Sequence, residues 1–167
     1  MTVHNSRQAG RAAKGGLIAG LVGGLVLSVF MAVMNLIRGH DVWGGMKFAG
    51  VPVLGERALQ PGFDGLAVAV GVFDHFAVSA VWGVLFGILF YGLSRNATYV
   101  AGIVWGIVVW IAMLYVVLPV LGFPAGGTMP VAMSAFTHIL FGVVTAAAFL
   151  PYQRELPPMS RHPRTAP

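Results

Sequence analysis

Two histidines stand inside long apolar stretches of this chain: His75, directly after Asp74 in GVFDHFAVSA, and His138 in SAFTHILFGV. An ionisable side chain in such surroundings is costly and marks a functional candidate, unless a neighbour satisfies it. Three chemistries suit it. A neutral imidazole can bridge two helices by hydrogen bonds. It can pass protons or contact a moving solute. Two imidazoles on separate helices can also hold a haem iron axially. His75 stands 20 residues before Arg95 and His138 stands 16 before Arg154. At 1.5 Å per residue, both therefore lie about 24 to 30 Å from the inner surface. His40 and Asp41 close the first apolar stretch on that same outer side. The expected cluster is His40, Asp41, Asp74, His75 and His138, at the outer mouth of a helical bundle. Asp74 is expected at the interface, anionic only where it reaches water or a cation such as Lys47 or Arg38.

Other chemistry is poorly supplied. The chain has no cysteine, which removes disulfides, thiolate catalysis and cysteine-ligated metals. It has no CxxCH, phosphate loop, nucleophile elbow or paired carboxylates. A metal site wants three or four ligands in fixed geometry, and no spacing here provides them. Five acidic residues leave only Asp74 as a candidate for acid–base work. A non-enzymatic protein without a metal is expected.

The elements that must position these residues are membrane helices. Hydrophobic residues make up 57% of the chain and charged ones 9%, against about 25% charged in a soluble domain. Four stretches match the roughly 20 apolar residues of a membrane span: about 15–37, 70–93 (with a start as early as Leu66), 99–121 and 131–150. The first run is too long for a signal peptide and ends at Arg38 without a clear cleavage signature. A basic tail, 1–14, precedes the spans, and a Pro-rich tail, 151–167, follows them. With both ends inside, the inner segments hold Arg7, Arg11, Lys14, Arg95, Arg154, Arg161 and Arg164, and the outer ones hold only Arg38, Lys47 and Arg57. Basic residues concentrate on the cytoplasmic side of such proteins, so N-in/C-in topology is expected. The net charge of +5 sits in tails and loops, as a topology signal and not a nucleic-acid surface.

The loops differ in kind. The short turn at Ser94-Arg95-Asn96 predicts an antiparallel hairpin of spans two and three. The uncharged 122–130 turn is expected to lie against the bundle or dip into the interface. In the long 38–65 loop, Val42, Trp43, Met46 and Gly50 keep helical spacing. That predicts a short interfacial helix ended by Pro52, with Trp43 as headgroup anchor and the whole loop as an ordered cap. Trp82, Trp105 and Trp110 are expected to pack inside the bundle, and Tyr91, Tyr99 and Tyr152 to form an inner aromatic belt.

Small residues recur every fourth position: Gly16, Gly20, Gly24 and Ser28; Gly71, His75, Ser79, Gly83 and Gly87; Gly102 and Gly106; Ser134, His138, Gly142 and Ala146. Residues four apart share a helix face, and small ones let membrane helices approach closely. Both histidines lie on these ridges, so they are expected to face other helices. Aligning His75 with His138 also aligns Ser79 with Gly142, Gly83 with Ala146 and Phe73 with Phe136. The predicted fold is an all-α membrane four-helix bundle made of two parallel hairpin repeats about an axis normal to the membrane.

Several segments carry a family resemblance: Asp41-Val42-Trp43 with Lys47; Leu54-Gly55-Glu56-Arg57-Ala58 leading to Pro61-Gly62-Phe63-Asp64; His75-Phe76-Ala77-Val78-Ser79 with Gly83; and His138 with Gly142. In these the chain resembles a family of uncharacterised bacterial four-pass inner-membrane proteins, from Gly15 to Leu150. The resemblance implies a fold and the bacterial inner membrane as location; it implies no activity. The expected function is association through the small-residue ridges, as a homo-oligomer or a small subunit of a larger membrane complex, with the lipid bilayer as environment. The alternatives are a small transporter or channel entered past the histidine cluster, and a haem-binding electron carrier using His75 and His138.

Overall fold

The computed structural model describes the backbone of residues 3–122 and 130–153, with side chains from Arg7 onward. Every regular element among these residues is helical: α1 (Val3–Ile37), α2 (Gly44–Ala49), α3 (Val51–Leu54), a 3-10 turn (Gly55–Leu59), α4 (Gly65–Phe90), α5 (Arg95–Ala112), α6 (Leu118–Val120), α7 (Val131–Phe149) and a closing 3-10 turn (Leu150–Tyr152). A π-helical turn, Met113–Val117, joins α5 to α6. Among the described residues four helices are long and apolar enough to cross a membrane: Arg7–Ile37, Gly65–Phe90, Arg95–Val120 and Val131–Tyr152. They form a four-helix bundle. The 38–64 segment covers one end, called here the capped end; the 91–94 turn lies at the other, the turn end.

Local chemistry sets the helix limits. No proline interrupts the chain before Ile37, so the segment read as a basic tail continues α1 and carries Arg7, Arg11 and Lys14 on it. Helix α4 starts at Gly65, ahead of the expected 70, because Asp64 accepts the backbone N–H groups of Leu66 (3.0 Å) and Ala67 (3.1 Å), an N-cap. Ser94 caps α5 through Ala97 N–H at 3.4 Å, so Arg95 and Asn96 belong to the helix and not to the turn. Gly92, with φ 93°, ends α4 in a conformation that side chains disfavour. The π turn falls just before Pro119, where a proline ring would crowd a regular helix. Pro52 does not end the cap helix; it lies in the first turn of α3, where a missing N–H costs nothing. The tail from Arg154 on, with Glu155, Arg161, Arg164 and the prolines, lies outside the described residues, as do residues 123–129 of the apolar turn.

The packing pairs differ from the turn-based expectation. Helices α1 and α4 run together, as do α5 and α7, and α1 also lies along α7, whereas α4 and α5 touch only sparsely despite their short connection. Glycine decides this. A Cβ on Gly83 would fall 2.5 Å from Gly20 Cα, and one on Gly142 would fall 2.8 Å from Gly106 N. Between α4 and α5 stand rings instead: Trp82, Phe86 and Phe90 surround Trp105 with centroids 5.6, 6.2 and 5.7 Å away. The close hairpins are therefore α1–α4 and α5–α7, the two repeat units predicted from the His75–His138 alignment. Their contacts correspond as well. Gly20 meets Ser79 and Gly83, and Gly102 meets Gly142 and Ala146; Gly24 meets His75, and Gly106 meets His138. Gly16 and Gly87 close the α1–α4 contact at the turn end. Buried Ala19, Phe86, Ala101, Trp105, Ala146 and Phe149 fill this half as one core.

Candidate functional site

Toward the capped end the hairpins open. A Cβ on Gly24 would meet the Ser79 side chain, 2.5 Å from its Oγ, and not the α4 backbone. Beyond it α1 offers Leu27, Ser28, Met31 and Asn35, and between these and the facing helices lies a cavity of about 760 Å³. Its walls are mostly apolar. His40, Asp41, Asp74, His75 and His138 all line it. The five residues proposed from sequence thus reach one cavity from α1's end, α4 and α7. Among the described residues no hydrogen bond or ion pair joins any two of them; each has its own arrangement.

His75 reaches across to α1, its Nε2 donating to the Gly24 carbonyl at 3.0 Å. A carbonyl only accepts, so Nε2 carries the hydrogen and the neutral ring keeps its lone pair on Nδ1. His138 does the opposite. Its Nδ1 donates to the Ser134 carbonyl one turn back on α7, at 2.8 Å, which leaves the lone pair on Nε2. The first imidazole is an interhelical tie; the second is tethered within its own helix. A haem held between the two would need Nδ1 of His75, because Nε2 is committed to the Gly24 carbonyl. This pair does not fit axial haem ligation. Among the described residues no three His, Asp or Glu side chains converge as a metal site would require.

Asp74 lines the cavity beside His75, and among the described residues no hydrogen-bond donor meets its buried Oδ2. Lys47 does not serve it. That ammonium, only 2% exposed, stands 2.6 Å from Asp41 Oδ2 and donates to the carbonyls of Gln60, at 2.7 Å, and Gly62. It spends its three protons joining the start of the cap to its end. The Lys47 hydrogen bond also holds the Asp41 carboxyl below the usual aspartate range, against an opposing effect of burial. Asp41 Oδ1 accepts the Trp43 N–H at 3.0 Å, and Asn35 Nδ2 donates to the Asp41 carbonyl at 3.3 Å, which fastens the cap to α1. Farther out, Arg57 forks onto Asp64 at 2.8 and 3.2 Å. This bond, chiefly, brings the Asp64 carboxyl down to about 2, with the Ala67 N–H adding to it. Trp43 packs edge-on against Phe63, centroids 5.6 Å apart. The loop is the ordered cap that its spacing predicted. Backbone contact holds it on α4, where Gly50 and Gly71 meet.

Sequence reasoning passed over Lys47 as a strap, although a lysine in a loop rich in glycine and apolar residues was the available signal. It also passed over Gln153 at the turn end. Gln153 accepts the Gly92 N–H at 2.8 Å and donates to the Phe90 carbonyl and Thr98 Oγ1 at 3.1 and 2.8 Å. That side chain joins the ends of α4 and α7 and the start of α5.

A model of a family of unknown function, DUF6789, matches residues 10–157, taking in the whole bundle, the cap and both histidines. The chain belongs to that family. The resemblance drawn from the cap and histidine segments is thereby borne out: the family is an uncharacterised one. No curated protein and no solved structure matched the chain. The functional reading of this DUF6789 member therefore rests on its cavity.

Proposed function

We propose that this protein is a non-enzymatic, four-pass membrane protein that binds a small amphipathic molecule in the capped half of its bundle. The observation that carries this is the cavity of about 760 Å³, apolar-walled with a few convergent polar groups. Those are the proportions of small-molecule sites, which run about 300–1,000 Å³. The basic residues at the turn end, Arg7, Arg11, Lys14 and Arg95, favour a cytoplasmic turn end. The cavity then opens in the outer half of a bacterial inner membrane, which suits a carrier or receptor for a lipid-soluble compound. Association with another chain is supported less well. The ridges expected to drive it, Gly16, Gly20, Gly24, Gly83, Gly87, Gly102, Gly106 and Gly142, are already engaged within the chain.

The test is saturable binding of phenylhexanol, a neutral amphiphile, to the protein in lipid nanodiscs. Val78 lines the cavity, so Val78→Trp should abolish binding. Leu89, 61% exposed on the bundle surface, should accept Trp without effect. Absence of saturable binding, or equal loss in both variants, would sink the proposal.

A further inference from the structure

The charges that face the cavity do not balance. Asp41 and Lys47 neutralise each other at 2.6 Å. The remaining hydrogen-bonding capacity of Lys47 goes to Gln60 and Gly62. Arg57 is committed to Asp64 on the exposed side of the cap. That leaves Asp74, with one carboxylate oxygen buried and, among the described residues, no donor on it. The three cavity histidines offer it no hydrogen bond: His75 donates to Gly24 and His138 to Ser134, and His40 reaches neither carboxylate. A carboxylate oxygen withdrawn from water without a donor is costly. Asp74 also lines the cavity, so a cation held there would meet the one lining carboxylate that has no ion-pair partner among the described residues.

On this ground, and resting on the binding reading above, we infer that the cavity takes a lipophilic amine, with its ammonium on the Asp74 carboxylate and its apolar body among the α1, α5 and α7 side chains. The shape of the site agrees with this. Asp74 lies on the first half of α4, and apolar side chains line the cavity around it, Leu27, Val78, Val109, Leu114 and Phe141 among them. A molecule with a cationic head and a hydrocarbon body matches that lining. Trp82 also lines the cavity, but its Nε1 donates to Met113 Sδ at 3.4 Å. It therefore adds ring surface to the wall and no competing head-group donor.

The experiment uses three probes with one body: phenylhexylamine, phenylhexanol and phenylhexanoate, each titrated into nanodisc-embedded full-length protein and into Asp74→Asn. Asparagine keeps the shape of Asp74 and removes its charge. The wild type should bind the amine at least about tenfold more tightly than the alcohol, the step expected of a hydrogen bond to a charged group. The carboxylate should bind most weakly. Asp74→Asn should reduce the affinity for the amine to about that for the alcohol, and saturable alcohol binding by the variant shows that it folds. Equal wild-type binding of amine and alcohol would overturn the head-group assignment and leave the cavity reading standing. So would an amine preference that survives Asp74→Asn. If none of the three probes binds saturably, the cavity reading itself fails, and this inference fails with it.

Discussion

Gly83 and His75 stand about two turns apart on one face of α4, and they meet α1 in opposite ways. At Gly83 the two backbones touch: a Cβ would lie 2.5 Å from Gly20 Cα. At His75 an imidazole has to span the gap to reach the Gly24 carbonyl. On α7, Gly142 lies in backbone contact with Gly102 and Gly106, whereas Ser134 and Thr137, nearer the cap, face the cavity. The α1–α4 hairpin is thus welded at the turn end and opens at the capped end, whereas the α5 and α7 backbones still meet at Gly106 and His138 before Ser134 and Thr137 face the cavity. The same four-residue spacing of small residues runs through both halves, so spacing alone does not fill a bundle. What differs is the third layer. At the turn end, Phe86, Phe149 and Trp105 plug the space between the hairpins. At the capped end the cavity lies between the hairpins, and the Lys47 strap joins the ends of the cap over it.

That contrast can be broken most severely at the weld. Gly83→Leu should destabilise the bundle by about 3 kcal/mol, the upper part of the range for overpacking, because the added atoms meet backbone that cannot move aside. Leu89→Ala, on the exposed face, should change the thermal midpoint in detergent little. Equal tolerance at both positions would deny that the turn end is close-packed.

The cap should come next. Lys47→Ala leaves Asp41 without its cation and two carbonyls without a donor, a loss of about 2–3 kcal/mol. That is below the figure for a fully buried pair because the Asp41 side chain keeps 28% of its exposure. Hydrogen exchange should rise across residues 41–62 and stay unchanged at Gly83. An unaltered cap would remove the strap from this description.

The histidines sharpen the contrast on a smaller scale. His75→Ala removes an interhelical bond and should cost about 0.5–1.5 kcal/mol. His138→Ala removes only a tether within α7 and should cost less. The reverse order would contradict the geometry. Neither variant should alter the visible spectrum, since no Soret band is expected of the wild type.

The smallest effect concerns pH. The Asp64 carboxyl is lowered from 3.8 to about 2 by the Arg57 bond and the α4 amides. A carboxylate with a depressed value stabilises the fold above its unfolded value and loses that contribution as it is protonated. Ordering of the 55–64 segment should therefore be constant above about pH 5 and fall between 3.8 and about 2. Asp64→Asn should flatten that dependence. A cap that loosens instead near neutral pH would contradict this assignment to Asp64.

Much of this was legible in the chain. Apolar length announced the four helices, and the four-residue ridges announced which faces close. The in-phase positions of His75 and His138 announced the repeat and brought both to one cavity. The helix partners were less legible, because the short 91–94 connection suggested pairing α4 with α5. Only the bulk of Trp82, Phe86, Phe90 and Trp105 shows why those helices stand apart. The cavity was not legible at all: a void has no residues of its own, and it arises from where α1 and α4 diverge past Gly24. The pairing of Lys47 with Asp41 instead of Asp74 likewise depends on how the cap folds back from Gln60 and Gly62.

Two threonines on α7 test the solid-and-hollow division most directly. Thr137, 4% exposed, lines the cavity, whereas Thr145, 0% exposed, lies in the packed half. The chain contains no cysteine, so Thr137→Cys and Thr145→Cys each place one thiol against a silent background. The measurement is the rate of modification by a small uncharged methanethiosulfonate on folded protein in nanodiscs. Thr137→Cys should be modified to completion under conditions that leave Thr145→Cys untouched, and prior loading with phenylhexanol should slow the reaction at position 137 alone. Equal protection at both positions would mean that the capped half is as closely packed as the turn end, and the cavity on which the functional reading rests would be lost.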